Sequence, residues 1–426
     1  MPTYNLTEND DNFVGSNEGD VIRGLGGNDL IDSRFGNDLV FGGAGNDTIF
    51  ARDQDDIVHG DDGDDSLIGG LGNDTMYGGE GNDLLAGSQG DDEIHAGNGN
   101  DVVFTGVFEG SDRIFMDAGN DVLDGAAADS SFYAEGGSGD DEFRSGHAND
   151  TLDGGTGTDR AVFTSPMDHY TLTLRNGDLS ITDRSAGGTG TDTMRSIERL
   201  EFSTGGSTPN EVFALDTYGG MATLNASQIE SFVEFYIAYF NRAPDAVGLN
   251  FWGTAFANGT TLQEMASLFI DQPETRATYP SSMSNSDFAT TVYNNVLGRV
   301  PDQEGFDFWV SVLDNGSVGR DQFILEVLAG ARATPPQGAS PEFIAQQQAD
   351  QAYLETKVDI GAYYAIHKGM SDVSDATAAM ALYDGSAASL NRAVDAIDDY
   401  HQDALDPNNG DFLLPLVGVL DDPFTG

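Results

Sequence analysis

The chain has 426 residues, length for about two to four domains, and sets 72 aspartates and glutamates against 18 lysines and arginines, for a formal net charge of −54. No basic stripe is left to neutralise phosphates, so nucleic acid and anionic membranes are excluded as partners; such a surface suits saline water, where repulsion is screened. Cysteine is absent, which excludes thiol catalysis, disulfides and zinc–thiolate sites.

The first residues lack the basic and apolar stretches of a cleavable signal peptide. An aspartate then recurs every nine residues: Asp11, Asp20, Asp29, Asp38, Asp47, Asp56, Asp65, Asp74, Asp83, Asp92 and Asp101. Two residues after each stands an apolar side chain, from Phe13 and Ile22 to Ile94 and Val103, and glycines fill most of the loop in front, as in Gly42-Gly43-Ala44-Gly45-Asn46-Asp47. Nine residues are too few for a helical hairpin. They suffice for a Gly/Asp turn of about six residues and a strand of about three, with the apolar residue pointing inward. Two nonapeptides then make one coil of a flattened solenoid. Asp(i) and Asp(i+18) share an edge, about 4.8 Å apart. Bare carboxylates at that spacing repel by roughly 1 kcal/mol in water and about 3–4 at an effective dielectric near 20, so the segment is expected to be disordered without a cation. Flexible all-oxygen loops favour calcium over magnesium. The bland alternative, an acidic Gly/Asp linker, does not account for unbroken matches at both the aspartate and the apolar position.

This pattern resembles the repeats-in-toxin calcium-binding β-roll. The resemblance implies Ca2+ ions between successive loops, held by the sixth-position aspartates above and by loop carbonyls. Beyond Asp101 the array degrades. Two extra residues enter around Thr105–Gly110; Asp112 and Asp121 keep the spacing; Ser130 stands where the next aspartate is due; Asp141, Asp150 and Asp159 resume two residues late. The metal assignment extends to Asp112, Asp121, Asp141 and Asp150. His59 and His95 fall at outward positions and are read as solvated.

From residue 161 strand signals replace the nine-residue period. Tyr170–Leu174 and Leu179–Thr182 flank Arg175-Asn176-Gly177-Asp178, a hairpin signal, and Ile197–Phe202 adds a strand. The block is read as a cap over the last open coil. Asp192 is read as part of a simple turn rather than as a ligand.

Near Gln228 the composition turns helical. Tyr236, Arg242, Pro244, Asp245, Gly248, Phe251 and Trp252 repeat at an offset of 57 (299 − 242) as Tyr293, Arg299, Pro301, Asp302, Gly305, Phe308 and Trp309. In each copy a helix is expected to end near the arginine and Pro-Asp to open the next. The tryptophans are read as core and the arginines as helix-end ion pairs. This duplication resembles the domain of unknown function 4214 over about residues 228–333, found beside repeats-in-toxin segments in secreted bacterial proteins; that family implies no activity.

No H-E-x-x-H or G-x-S-x-G occurs, and the six histidines are scattered, so zinc-protease and serine-hydrolase sites are excluded on motif grounds. No run of about 18 apolar residues appears, so no membrane span is expected. The resemblance implies export by type I secretion machinery from an uncleaved C-terminal signal, and residues 411–424 mix aliphatics and acids suitably. The predicted architecture is multidomain, β then α: a calcium-binding nonapeptide β-roll (1–160), a β-rich capping segment (161–215), a duplicated helical domain (225–335) and a helical tail with the secretion signal (336–426). The predicted function is that of an extracellular or cell-surface, calcium-dependent structural, adhesive or surface-layer-like protein without catalysis. Its helical half would serve a homo-oligomer or attach to cell-surface glycan. The alternative is a carbohydrate-binding or accessory module of an extracellular enzyme system.

Overall fold

The computed structural model describes residues 1–424 apart from 106–109, 127, 176–177, 186, 189 and 205–208. The protein divides into two compact units, Met1–Tyr170 with Gly177–Leu215, and Thr171–Asn176 with Asp216–Gly426.

The first unit is a parallel β-solenoid. One sheet runs Thr3–Asn5, Val21–Gly26, Leu39–Ala44, Ile57–Asp62, Thr75–Glu80, Glu93–Asn98, and onward to Thr151–Asp153; the other runs Asn12–Val14, Leu30–Asp32, Thr48–Asp53, Ser66–Leu71, Leu84–Gln89, Val102–Phe104, and onward to Arg160–Phe163. Register is 18 residues per coil, as in Val40↔Val58 and Ile49↔Leu67. The central strands are six residues long rather than three. Pairing continues into the turn, through Leu25↔Gly43 and Gly26↔Ala44, because turn amides and carbonyls also find partners one coil away. The inward apolar column from Ile22 to Val103 is fully buried. Two residues further on, the second inward position holds only small side chains over the central coils, among them Gly42, Ala51, Gly60, Gly69 and Ala96.

On the outer face one position repeats as Arg23, Phe41, His59, Tyr77, His95 and Phe115. The rings from Phe41 to Phe115 stack with centroids 4.7–5.1 Å apart and planes within 12°, and the Arg23 guanidinium lies over Phe41. His59 and His95 are therefore partly exposed members of an aromatic ladder on the outer face. The coil register, 18 residues per step and 20 between His95 and Phe115, places each ring directly over the next.

The insertion at residues 101–112 has its centre, 106–109, outside the described residues, as do the turn residues Asn176 and Gly177. After Arg160–Phe163 the chain makes an excursion and returns to the solenoid. Thr191–Arg195 pairs in parallel with Thr151–Asp153, and Arg199–Phe202 with Arg160–Phe163. Each is then covered by an antiparallel strand, Leu179–Asp183 and Glu211–Ala214. Reversing direction ends the stack of parallel coils.

The helical unit contains α1 (Leu215–Tyr218, its first residue belonging to the solenoid unit), α2 (Ala226–Phe240), α3 (Ala246–Ala257), α4 (Leu262–Phe269), α5 (Pro273–Thr278), α6 (Asn285–Leu297), α7 (Gln303–Asp314), α8 (Arg320–Arg332), α9 (Pro341–Ala362), α10 (Val373–Ala381) and α11 (Ala387–Ala404). Asp245 and Asp302 cap α3 and α7 by accepting the Gly248 and Gly305 amides, so each Pro-Asp pair places proline before the cap. Arg242 forms a bidentate pair with Glu274, and Arg299 with Asp350. Trp252 and Trp309 are half-buried, each edge-on to a phenylalanine, Phe269 and Phe323. Their neighbours Phe251 and Phe308 are exposed, so only the tryptophan of each Phe-Trp pair packs inward. Lys357 of α9 is buried. Its Nζ donates to Asn241 Oδ1 (3.0 Å) beyond the end of α2 and to the Asn295 carbonyl (2.7 Å) in α6, tying α9 to both copies of the duplication. No described helix is long and apolar enough to cross a membrane.

Candidate metal centre

Each repeat aspartate sits where its turn enters the next strand, and the 18-residue register stacks the carboxylates on two edges. The Asp47 amide donates to Asp65 Oδ1 at 2.7 Å, Asp65 to Asp83 at 2.8 Å and Asp83 to Asp101 at 2.7 Å. On the opposite edge Asp38, Asp56 and Asp74 donate in the same way to Asp56, Asp74 and Asp92. Oδ1 is thereby satisfied and Oδ2 is not. Among the described residues twelve repeat aspartates have a buried Oδ2 without a hydrogen-bond partner: Asp29, Asp38, Asp47, Asp56, Asp65, Asp74, Asp83, Asp92, Asp101, Asp121, Asp141 and Asp159. A buried anionic oxygen left unpaired is costly unless a cation meets it.

The surroundings of those oxygens fit a hard cation. A Cβ added to Gly42 would strike both Asp47 Oδ2 and the Gly60 carbonyl. One added to Gly60 would strike Asp65 Oδ2 and the Gly78 carbonyl, and Gly78 repeats this with Asp83 and the Ala96 carbonyl. Glycine five residues before the aspartate thus leaves room for a carboxylate beside a carbonyl of the next coil. Among the described residues no three acidic or histidine side chains converge as a metal cage. The donors are carboxylate and carbonyl oxygens spread along the edge, the set that suits calcium and offers nothing to a soft metal. Aspartates with carbonyls of the turns would hold each ion, and the ion would neutralise the stacked charge.

Burial raises these carboxyl groups above the ordinary aspartate range, neighbouring aspartates adding to it while the amide bond opposes. Asp56 is pushed up to about 8, Asp65, Asp92 and Asp121 to about 7, and Asp47, Asp74, Asp83 and Asp101 to about 6. With folded-state values above the unfolded one, protonation favours the metal-free fold. That stability is fully present below about pH 4 and is lost as pH rises through about 6–8. In chelator, the circular-dichroism β signal is therefore expected to be larger at pH 5 than at pH 8. A metal-free signal that does not change, or that falls on acidification, would contradict the burial of these groups.

The sequence-assigned ligands do not all share one geometry. Asp11 Oδ2 takes the Thr7 amide and hydroxyl, Asp20 takes the amide and hydroxyl of Ser16, and Asp150 Oδ2 takes the Gly146 amide. Asp112 accepts the Asp92 amide and continues its edge. The gap in that edge is at Phe132, not Ser130. Phe132 occupies the aspartate position, its amide donating to Asp150 Oδ1. A second two-residue insertion, between Asp121 and Phe132, moves the register past the serine.

Three acids beyond that ligand set complete the edges. Asp141 donates to Asp159 Oδ1, Asp159 to Glu198 Oε2, and Asp150 to Asp192 Oδ1. Asp192 is buried in a strand and pushed up to about 7, chiefly by burial, so it is a rung of the array and not a simple turn. Its signal was hidden by the 42-residue step from Asp150. The residue before each aspartate, usually asparagine, forms a second ladder in the opposite sense. The Asn46 amide donates to Asn28 Oδ1, Asp64 to Asn46, Asn82 to Asp64 and Asn100 to Asn82. Recurrent Asn-Asp doublets were its legible sign.

Comparison with known families agrees with this geometry. Residues 7–40, 41–76, 77–108, 107–129 and 133–161 match the RTX calcium-binding nonapeptide repeat (4 copies). Residues 266–331 match the Domain of unknown function (DUF4214). No curated protein matches the chain.

Proposed function

We propose that this chain, whose N-terminal region is an RTX calcium-binding repeat solenoid, is a secreted structural or adhesive protein without catalysis whose solenoid folds only on meeting extracellular calcium. The observation that carries this reading is the row of twelve buried, unpartnered Oδ2 atoms in register. Such a row is tolerable with divalent ions between the turns and unfavourable without them. In a low-calcium cytosol the chain stays extended enough to pass a type I exporter; at about 10⁻⁴–10⁻³ M calcium outside it collapses onto its ions. The helical unit then mediates self-assembly or attachment to a surface. The net charge of −54 favours divalent ions over nucleic acid or anionic lipid as partners.

The test is electron microscopy and sedimentation of the secreted full chain with calcium and with EGTA, with and without purified cell-envelope material. Ordered assemblies or envelope-bound protein are expected only with calcium. A dispersed monomer that ignores the envelope under both conditions would remove the structural and adhesive reading while leaving calcium binding intact.

A further inference from the structure

The two copies of the helical duplication are not equally filled. In the first copy, Phe269 of α4 is buried and packs on Tyr236, Phe240 and Trp252 with ring centroids 4.8–5.5 Å away. Phe240 corresponds to Leu297 at the offset of 57; α8 then starts one residue late, with N-caps at Thr261 and Gly319, so that Phe269 corresponds to Val327 and Glu274 to Arg332. Leucine and valine therefore replace two phenyl rings in the second copy, Phe323 at the Met265 position supplies the ring against Trp309, and the acid that pairs with the arginine is missing. Arg299 turns instead to Asp350 of α9. What remains is a cavity of about 220 Å³ between α6, α7, α8 and α9, with the smaller Leu297 and Val327 in its wall.

The lining is chemically specific. Tyr293, Trp309 and Phe343 supply aromatic surface, with Phe343 half exposed at the rim. Gln347, 9 % exposed, spends its amide Nε2 on the Ala333 and Gly330 carbonyls, and its Oε1 is buried with no partner. Glu326 and Asp302 add further acceptors. The guanidinium of Arg299 and the amide of Gln346 are both engaged by Asp350. Acceptors outnumber available donors, and acids outnumber the one base. The site therefore repels anions and asks for a ligand that brings hydroxyl donors and an apolar face to lie on an aromatic ring.

The geometry points to a binding site in the second helical repeat for a single neutral pyranose unit of a glycan. The volume lies below the roughly 300–1,000 Å³ of drug-sized sites, room for one sugar ring, with the rest of a chain leaving past Phe343. This inference rests on the reading of the helical unit as the attachment module and gives that module a ligand class.

Saturation-transfer NMR of the calcium-loaded full chain against methyl pyranosides at about 10 mM, a concentration that fills a millimolar site, tests it, with simple amines and acidic sugars as comparison ligands. A neutral pyranoside is expected to bind. Val327→Phe, which puts back the ring that Phe269 supplies in the first copy, is expected to weaken binding at least tenfold at an equal or higher Tm. Phe343→Ala, at an exposed rim, is expected to weaken it without changing the fold. Binding of amines alone, binding of no pyranoside, or pyranoside binding unchanged in Phe343→Ala overturns the inference. A chain that sediments with envelope material yet binds no pyranoside sinks this site and leaves attachment standing; pyranoside binding without sedimentation supports the site and sinks attachment.

Discussion

Adding EGTA to the folded chain is expected to erase the solenoid's β signal and expose residues 1–202 to protease, while the helical signal persists. Calcium should restore the β signal and magnesium should not. In the metal-free fold twelve rungs hold a carboxylate whose Oδ2 is buried and bare, the Oδ1 accepting an amide from the preceding coil, as Asp65 does from Asp47. An amide bond to a charged oxygen contributes about 1.5–3 kcal/mol, and an unpaired buried polar atom costs about 1–3. These two nearly cancel, so the repulsion between rungs, roughly 3–4 kcal/mol per neighbour pair at an effective dielectric of 20, decides the sign. Repeated along two edges it is of the order of a domain's whole stability, ~5–15 kcal/mol. The inward columns offer little in return, since alternate inward positions are glycine, alanine or serine over much of the array. Magnesium demands a tight octahedron and keeps its waters, which turns of Gly and Asp with spread carbonyls do not provide. A solenoid that stays protease-resistant in excess chelator, or that responds equally to both ions, would show that the rungs do not need a metal.

Much of this was legible because the nine-residue step couples chemistry and geometry at once. From Asp11 to Asp101 the same count gives the edge, the inward apolar residue and the coil register, and the structure keeps all three. Counting fails where residues are inserted. Ser130 satisfies the arithmetic from Asp121, but only pairing shows that Phe132 occupies the rung, since the position of an insertion inside a turn leaves no periodic trace. Asp192 fails the same way, since the excursion after Phe163 separates it from its neighbour in the ladder. The aromatic ladder was present in the sequence as an 18-residue repeat at Phe41, His59, Tyr77 and His95, but single histidines carry no sign of what lies above them. In the helical unit the shared residues reveal the duplication, whereas the cavity comes from the unshared ones, Phe240 against Leu297 and Phe269 against Val327, which a search for identities at one fixed offset passes over.

Asp65→Asn is expected to act with opposite signs in the two states. With EGTA present it removes one charge from the rung between Asp47 and Asp83, where burial and those two neighbours already push the carboxyl up to about 7. The variant should hold more β structure than the wild type at pH 8 and equal it near pH 5, where the native carboxyl is protonated. With calcium present the same change deletes an anionic ligand, so the calcium midpoint should rise several-fold. Gly60→Ala separates charge from space. Its methyl group would enter the gap bounded by Asp65 Oδ2 and the Gly78 carbonyl, so it should raise the calcium midpoint without any gain in chelator, and an overpacked interior costs typically ~1–3 kcal/mol. Ala51 and Ala96 hold a buried methyl at the same position of other coils, which sets Gly60→Ala toward the lower end of that range. Parallel calcium titrations of the three proteins at pH 8, followed by circular dichroism, check both expectations. An Asp65→Asn chain that is weakened in chelator as well as in calcium would mean the carboxylate supports the fold through its hydrogen bond to the Asp47 amide, and that its charge is not what the metal is there to neutralise.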